Sequence, residues 1–269
     1  MNNYIIIGSR YYKNIEVNNL LDKFNNNIRF NVCIPGNNCG TKIDEHFLNN
    51  HLYNNVIINN NKTTLRNYTV DNKMYTKESL QNFISWSNRN KNKWTKIYNN
   101  NNYHTIYKNM NNYFKKQGLT QLKKPARVGY IGIYNSLINY SNKKIFVFGF
   151  SLSGYDNKFD YLGELKTSIC HDAISEQSIL IQMHNKKLID ASLCCLKDET
   201  IPTLDCKIIL PSIYIIQLLL KCFEIIILTN VDEKNQNAIL LVDLLKKDIT
   251  LNIVNESNVH KIIIKNNII

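Results

Sequence analysis

The 269-residue chain predicts an α/β fold with a mostly parallel sheet flanked by helices. Three observations carry that expectation. Short apolar runs, YIII at Tyr4 to Ile7 and KIFVF at Lys144 to Phe148, have the length and residue types of buried strands, and each stops at a glycine, Gly8 or Gly149. Segments with helical spacing, such as Val17 to Phe24, Val128 to Ile138 and Ser175 to His184, alternate with the runs. That alternation implies parallel pairing through right-handed crossovers. In a doubly wound sheet, ligands bind beyond the carboxyl ends of the strands, so the loops after Ile7, Phe30 and Phe148 are the places to look.

The elements are expected in this order. Strands are predicted at Tyr4 to Ile7, Ile28 to Val32 and Asn54 to Ile58. The segment from Lys77 to Lys116 is polar and aromatic, with Trp86, Trp94, Tyr107 and Phe114, and predicts two helices around an Asn-rich loop. A buried helix follows Pro125, then the strand at 144–148, a helix, and a strand at Leu188 to Leu193. After Pro202 the pattern restarts. Strands are expected at Lys207 to Leu210, Glu224 to Leu228 and Ile249 to Val254, with helices at Ile213 to Cys222 and Asn235 to Lys247. The organisation is a domain over residues 1–200 with a polar-aromatic insertion at about 62–124, and residues 201–269 as a C-terminal α/β extension of it.

Composition narrows the function classes. Hydrophobic residues make up 44% and charged residues 20%, a globular mixture able to bury a core. The asparagine runs, such as Asn25 to Asn27 and Asn99 to Asn102, have the bias of an AT-rich genome, viral or microbial. The formal net charge of +12 attracts anions: nucleic acid, phosphates, nucleotide sugars or acidic glycans. The lysines are scattered, and neither an RNA motif nor zinc-finger spacing occurs, so no nucleic-acid partner is expected. Seven cysteines without CxxC fit free thiols in a reducing compartment. Only three apolar residues follow Tyr4 before Gly8, too few for a signal or an anchor, so a soluble or cytoplasmic chain without a membrane span is expected.

Individual motifs leave alternatives open. Gly8-Ser9 after the first strand suits either a phosphate cradle or a plain turn, and GxGxxG and GxxxxGK[ST] are both missing. No Asp-x-Asp and no HExxH occurs, so no metal or other cofactor is expected. In HDAISE, His171 precedes a predicted helix and Glu176 lies in its first turns. A loop histidine titrates where a general base is useful. The same residues also read as an ordinary helix start, with Asp172 or Ser175 as cap and Glu176 favouring the dipole.

The order of four segments adds context. IRFNVCIPGNNCGTKID, residues 28–44, resembles the large nucleotide-binding motif of the sialyltransferases, a strand ending in Arg-x-Asn followed by Gly-(Ser/Thr)-Lys-Thr. Arg29, Phe30 and Asn31 match the first part; Gly40, Thr41 and Lys42 match the second, with Ile43 in place of the threonine. YIIIGSR upstream occupies the place of the family's strand and Gly-Asn-Ser loop, with Gly8, Ser9 and Arg10 as that loop. Residues 125–149 resemble the smaller motif, a Pro-Ser-Thr-Gly helix start, with Arg127 and Gly129 here, then a strand ending near Gly149-Phe150-Ser151. YDNKFDYLGE at 155–164 loosely resembles the His-Tyr-Tyr-Glu segment, and His171 to Glu176 matches the short His-x4-Glu motif.

The resemblance covers roughly residues 4–193 and implies a Rossmann-like variant of the GT-A type. It implies a CMP-sialic acid donor, a glycan acceptor and metal-independent inverting transfer. His171 would be the catalytic base, with Glu176 in the same motif. Gly8, Ser9, Arg10, Asn31, Thr41, Arg127, Gly129, Gly149 and Ser151 would line the donor site, Asn31 at the phosphate or ribose and Ser151 at the cytidine. Cys33 or Cys39 would face Cys170. Two other readings stand beside this one: a catalytically degenerate nucleotide- or glycan-binding module of the same fold, and a nucleic-acid binder with a continuous basic groove.

Overall fold

The computed structural model describes residues 3–8, 12, 15–30, 40–49, 63–68, 85, 89, 94–98, 103–152, 171–197, 201–222, 225–230, 251–256 and 259–264. Its main sheet has six parallel strands in the order β5-β4-β3-β2-β1-β6. These are β1 (Asn3–Ile7), β2 (Asn26–Phe30), β3 (Glu45–Asn49), β4 (Thr63–Tyr68), β5 (Trp94–Tyr98) and β6 (Lys144–Phe148). The α/β fold with a parallel, helix-flanked sheet is the one expected from the sequence. Ile5, Ile6 and Ile7 are all fully buried because β1 lies between β2 and β6 and both of its faces are covered.

Register sorts the two faces. Tyr4 pairs with Ile145, Ile5 with Phe146 and Ile7 with Phe148, so alternate residues share a side. One face carries Phe146 and Phe148, which meet Phe24 and Tyr12 at ring separations of 5.1 and 4.6 Å. It is covered by α1 (Ile15–Asp22), whose Val17, Leu20 and Leu21 are buried at helical spacing. The other face carries Phe30 and Phe47, 5.5 Å apart. The helix α3 (Val128–Asn139) lies there, and Gly132 lets it approach closely: a Cβ at that position would stand 2.2 Å from the Phe30 ring. Tyr4 stacks on Tyr140 just past the end of α3, and the Tyr140 hydroxyl donates to the buried Glu45 carboxylate of β3.

Several elements differ from the sequence expectation. Residues 94–98, expected in a helix, form β5 beside β4; Trp94, Ile97 and Tyr98 favour a pleated edge once a neighbouring strand is present. The second helix of that segment is present as α2 (Tyr103–Lys116), burying Ile106, Met110 and Phe114. β3 was not expected, and the predicted strand at 54–58 lies outside the described residues, as does the predicted helix at 235–247. The predicted strand at 188–193 shrinks to one bridge between Asp190 and Phe146. The Asp190 carboxylate accepts from the Ser192 N–H at 3.1 Å and from its hydroxyl, and this local turn bends the chain into a 3-10 turn over Ser192–Cys195. That segment follows α4 (Ala173–Asn185).

The C-terminal part forms a second, five-stranded sheet in the order β10-β11-β9-β8-β7. Its strands are β7 (Leu196–Lys197), β8 (Thr203–Asp205), β9 (Ile225–Asn230), β10 (Leu251–Glu256) and β11 (Val259–Ile264), with α5 (Ile213–Leu220) between β8 and β9. The parallel winding expected here is corrected: only β8 and β9 pair in parallel, across the α5 crossover. β10 and β11 are too close in sequence for a crossover and pair as an antiparallel hairpin. The strand expected at 207–210 falls earlier, at β8, because Asp205 accepts from the Lys207 N–H at 3.3 Å and ends the extended run. One continuous set of buried apolar side chains runs from Ile5 of the main sheet to Ile227 of the second. No helix among the described residues is long and apolar enough to cross a membrane.

Candidate active site

The strand order reverses at β1. β2 to β5 run outward on one side and β6 lies on the other, so the switch point of the sheet falls between β1 and β6. Gly8 ends β1 and Gly149 ends β6, side by side. The Gly8 N–H donates to the Phe148 carbonyl at 2.7 Å, and a Cβ on Gly8 would stand 2.5 Å from the Gly149 carbonyl oxygen. Glycine is required there by backbone against backbone. Phe150 follows, and the first turn of α3 packs over it: a Cβ on Gly129 would be 2.7 Å from the Phe150 ring, and Tyr130 meets that ring edge-on at 5.7 Å. The N-terminus of α3 therefore sits above the carboxyl end of β6, where its positive dipole end favours an anion. Half-buried Ser151 comes next in the chain.

The start of α3 is anchored by a carboxylate from α4. Glu176 is 0% exposed, and both of its oxygens are used by Arg127: one accepts from the Arg127 backbone N–H at 2.7 Å and the other from Nε at 2.6 Å. This geometry suits holding more than proton transfer. The Arg127 side chain is 42% exposed, and its terminal nitrogens have no partner among the described residues. Beside this pair, burial and then the Glu176 charge push the Tyr130 phenol well above its ordinary value, so it stays protonated.

His171 lies two residues before α4, and its Nδ1 is 2.7 Å from the Pro125 carbonyl oxygen. A carbonyl only accepts, so in the neutral ring Nδ1 carries the proton and Nε2 keeps its lone pair. That is the state a general base needs. The next residue, Asp172, caps α4 by accepting from the Ser175 N–H at 3.1 Å and the Ser175 hydroxyl at 2.6 Å. Those bonds hold its carboxyl below the ordinary value.

Thr41 is placed elsewhere. Gly40, Thr41 and Lys42 directly precede β3, at the amino end of the sheet, opposite Gly8 and Gly149. The Asp22 carboxylate at the end of α1 accepts from the Thr41 N–H and hydroxyl at 2.8 Å and from the Lys42 N–H at 2.9 Å. Lys42 Nζ donates to the Phe24 carbonyl at 2.8 Å, and the Lys42 carbonyl accepts from the Nε of fully buried Arg29. Gly40 has φ +71°, and a Cβ there would be 2.6 Å from Asp22. This motif is a clasp between α1, β2 and β3.

The structure thus brings together Gly8, Arg127, Gly129, Gly149, Ser151, His171 and Glu176, and sets Thr41 apart. Ser9, Arg10 and Asn31 lie outside the described residues, as do residues 155–164, Cys33, Cys39 and Cys170. Sequence reasoning missed Asp22, Tyr130 and the Pro125 carbonyl. Pro125 carried a usable signal, since a proline shortly before a helix fixes its own φ and marks the entry to the helix. The described cysteines Cys194, Cys195, Cys206 and Cys222 form no disulfide among the described residues. No group of three His, Cys, Asp or Glu side chains able to hold a metal occurs among the described residues.

No family model and no curated protein sequence matches the chain. Among solved structures, it is similar to a crystal structure of a mammalian sialyltransferase in complex with Gal-beta-1-3GalNAc-ortho-nitrophenol. The identity is 14% and the TM-score 0.44, over 70% of this chain and 68% of that one.

Proposed function

We propose that the chain is a glycosyltransferase of sialyltransferase type, which moves a sialic-acid-type sugar from a CMP-sugar to a glycan hydroxyl. The observation that carries this reading is the bond from His171 Nδ1 to the Pro125 carbonyl. It leaves Nε2 as an acceptor, beside the switch point of a parallel sheet. Among the described residues, the motif segments ending at Gly8 and Gly149 and those starting at Arg127 and His171 support this reading, and the Gly-Thr-Lys clasp does not.

The chemistry follows from these groups. His171 Nε2 takes the proton of the acceptor hydroxyl as its oxygen bonds to the anomeric carbon. The bond from that carbon to the CMP oxygen breaks, and the pair of electrons leaves with CMP. Attack opposite to departure inverts the centre. The departing charge is a single phosphate, which the exposed guanidinium of Arg127 and the start of α3 suit. In this reading Ser151 and Asn31 meet the nucleotide, as the sequence resemblance implies, and no divalent ion takes part. The test is calorimetry of the full chain with CMP, UDP and GDP, with and without EDTA. CMP is expected to bind most tightly and EDTA to change nothing. Tighter binding of UDP, or binding only with manganese, would overturn the donor class.

A further inference from the structure

Three contacts, taken together, form a relay from the interior to His171. Glu176, buried on α4, binds the backbone N–H of Arg127 at 2.7 Å and its Nε at 2.6 Å. That double bond fixes Arg127 as the residue from which α3 starts, with the Arg127 carbonyl accepting from the Tyr130 N–H at 2.9 Å. Two residues earlier, the Pro125 carbonyl receives the His171 Nδ1 proton. The ring of Pro125 and the β-region backbone of Arg127 (φ −66°, ψ 152°) leave this short segment little freedom. Glu176 fixes the far end of the segment that carries this carbonyl.

We propose that Glu176 is a positioning residue that selects the tautomer of His171, acting through the Pro125–Arg127 segment. The role rests on the reading of His171 as the base, but the tautomer is measurable whether or not that reading holds. Removing the pin frees the Pro125 carbonyl to turn away. Nδ1 then has no fixed acceptor, the proton redistributes to Nε2, and the lone pair at the reactive nitrogen is lost. Asp172, next in the chain, is bound to Ser175 and feels the charges of Lys123 and Lys124, and Arg127 is paired with Glu176. The Pro125 carbonyl governs which nitrogen holds the proton of the neutral ring.

The test is nitrogen NMR of the imidazoles in the labelled full chain, well above the ordinary histidine pKa. In the unaltered chain His171 is expected as a single Nδ1-protonated tautomer. Glu176→Gln, which places an amide N–H against a donor of Arg127, is expected to convert it to a mixture. Turnover should fall on the order of tenfold to a hundredfold, as when the partner orienting a histidine is removed. If that variant does not fold, Glu176→Asp, too short to reach both donors, is read in the same way. An Nε2-protonated ring in the unaltered chain, or an unchanged tautomer in the folded variant, overturns the proposal. Asp172→Ala loosens α4 without touching the Pro125–Arg127 segment; an equal shift there would trace the effect to the helix and also overturn it. Loss of CMP binding in the unaltered chain with the tautomer relay intact would instead sink the functional reading alone.

Discussion

The two ends of the parallel sheet use similar parts to opposite effect. At the amino end, Asp22 gathers the Gly40-Thr41-Lys42 turn, and the N–H and hydroxyl of Thr41 both donate to it. At the carboxyl end, Glu176 gathers the start of α3 at Arg127, but His171 Nε2 and the terminal nitrogens of Arg127 have no partner among the described residues. Both ends have a carboxylate, a glycine at close quarters and a basic residue. The lesson is that residue types at motif spacing do not by themselves distinguish a clasp from a site. The difference lies in whether the polar atoms are used up.

The strongest way to break this comparison is at His171. His171→Ala is expected to cut turnover by about 10²–10⁴-fold, with thermal stability and CMP affinity nearly intact. A parallel loss of folding would make His171 a second clasp instead. The next effect is steric. Gly8→Ala puts a Cβ 2.5 Å from a backbone carbonyl that has no side-chain freedom to yield. Urea unfolding should show a loss of about 1–3 kcal/mol, and CMP affinity should fall as β1 and β6 are forced apart at their carboxyl ends.

The converse experiment is made at the clasp. Asp22→Ala removes the acceptor of the Thr41 N–H, the Thr41 hydroxyl and the Lys42 N–H. It is expected to cost about 2 kcal/mol in the same unfolding assay, a figure reduced from the sum of three bonds by their exposure. CMP affinity, measured by calorimetry, should stay unchanged. Weaker binding of CMP without loss of stability would return Thr41 to the donor site.

The smallest effect is electrostatic and sits beside the site. Asp172 is held below its ordinary value of 3.8 first by the Ser175 hydroxyl and then by the Ser175 N–H. A lowered folded value means its contribution is present above the unfolded pKa and is lost as pH falls through the folded one. The loss of stability thus belongs below about pH 4. Asp172→Ala should cost about 1 kcal/mol at neutral pH as a lost helix cap, and should flatten the stability profile in that acid window.

Local pattern was sufficient for much of this architecture. The apolar runs at Tyr4 to Ile7 and Lys144 to Phe148, and the apolar helix after Pro125, declare themselves because burial on both sides demands apolar residues at consecutive positions. The helix start at His171 to Glu176 was legible from its capping residues, Asp172 and Ser175. What the sequence could not declare was β3. Its residues Glu45, His46 and Phe47 are buried, but two of the three are polar, and their burial depends on partners brought by the fold, such as Tyr140 for Glu45. Without β3 in place, the Gly40-Thr41-Lys42 turn reads as the loop after β2 and so as part of the site. With β3 starting at Glu45, the same turn is the approach to the next parallel strand, and a parallel strand begins at the amino end of its sheet. Residues near in sequence to the site are thereby carried a strand's length away from it. The tertiary structure alone decided this, because the direction of a crossover is set by which strand the chain pairs with next.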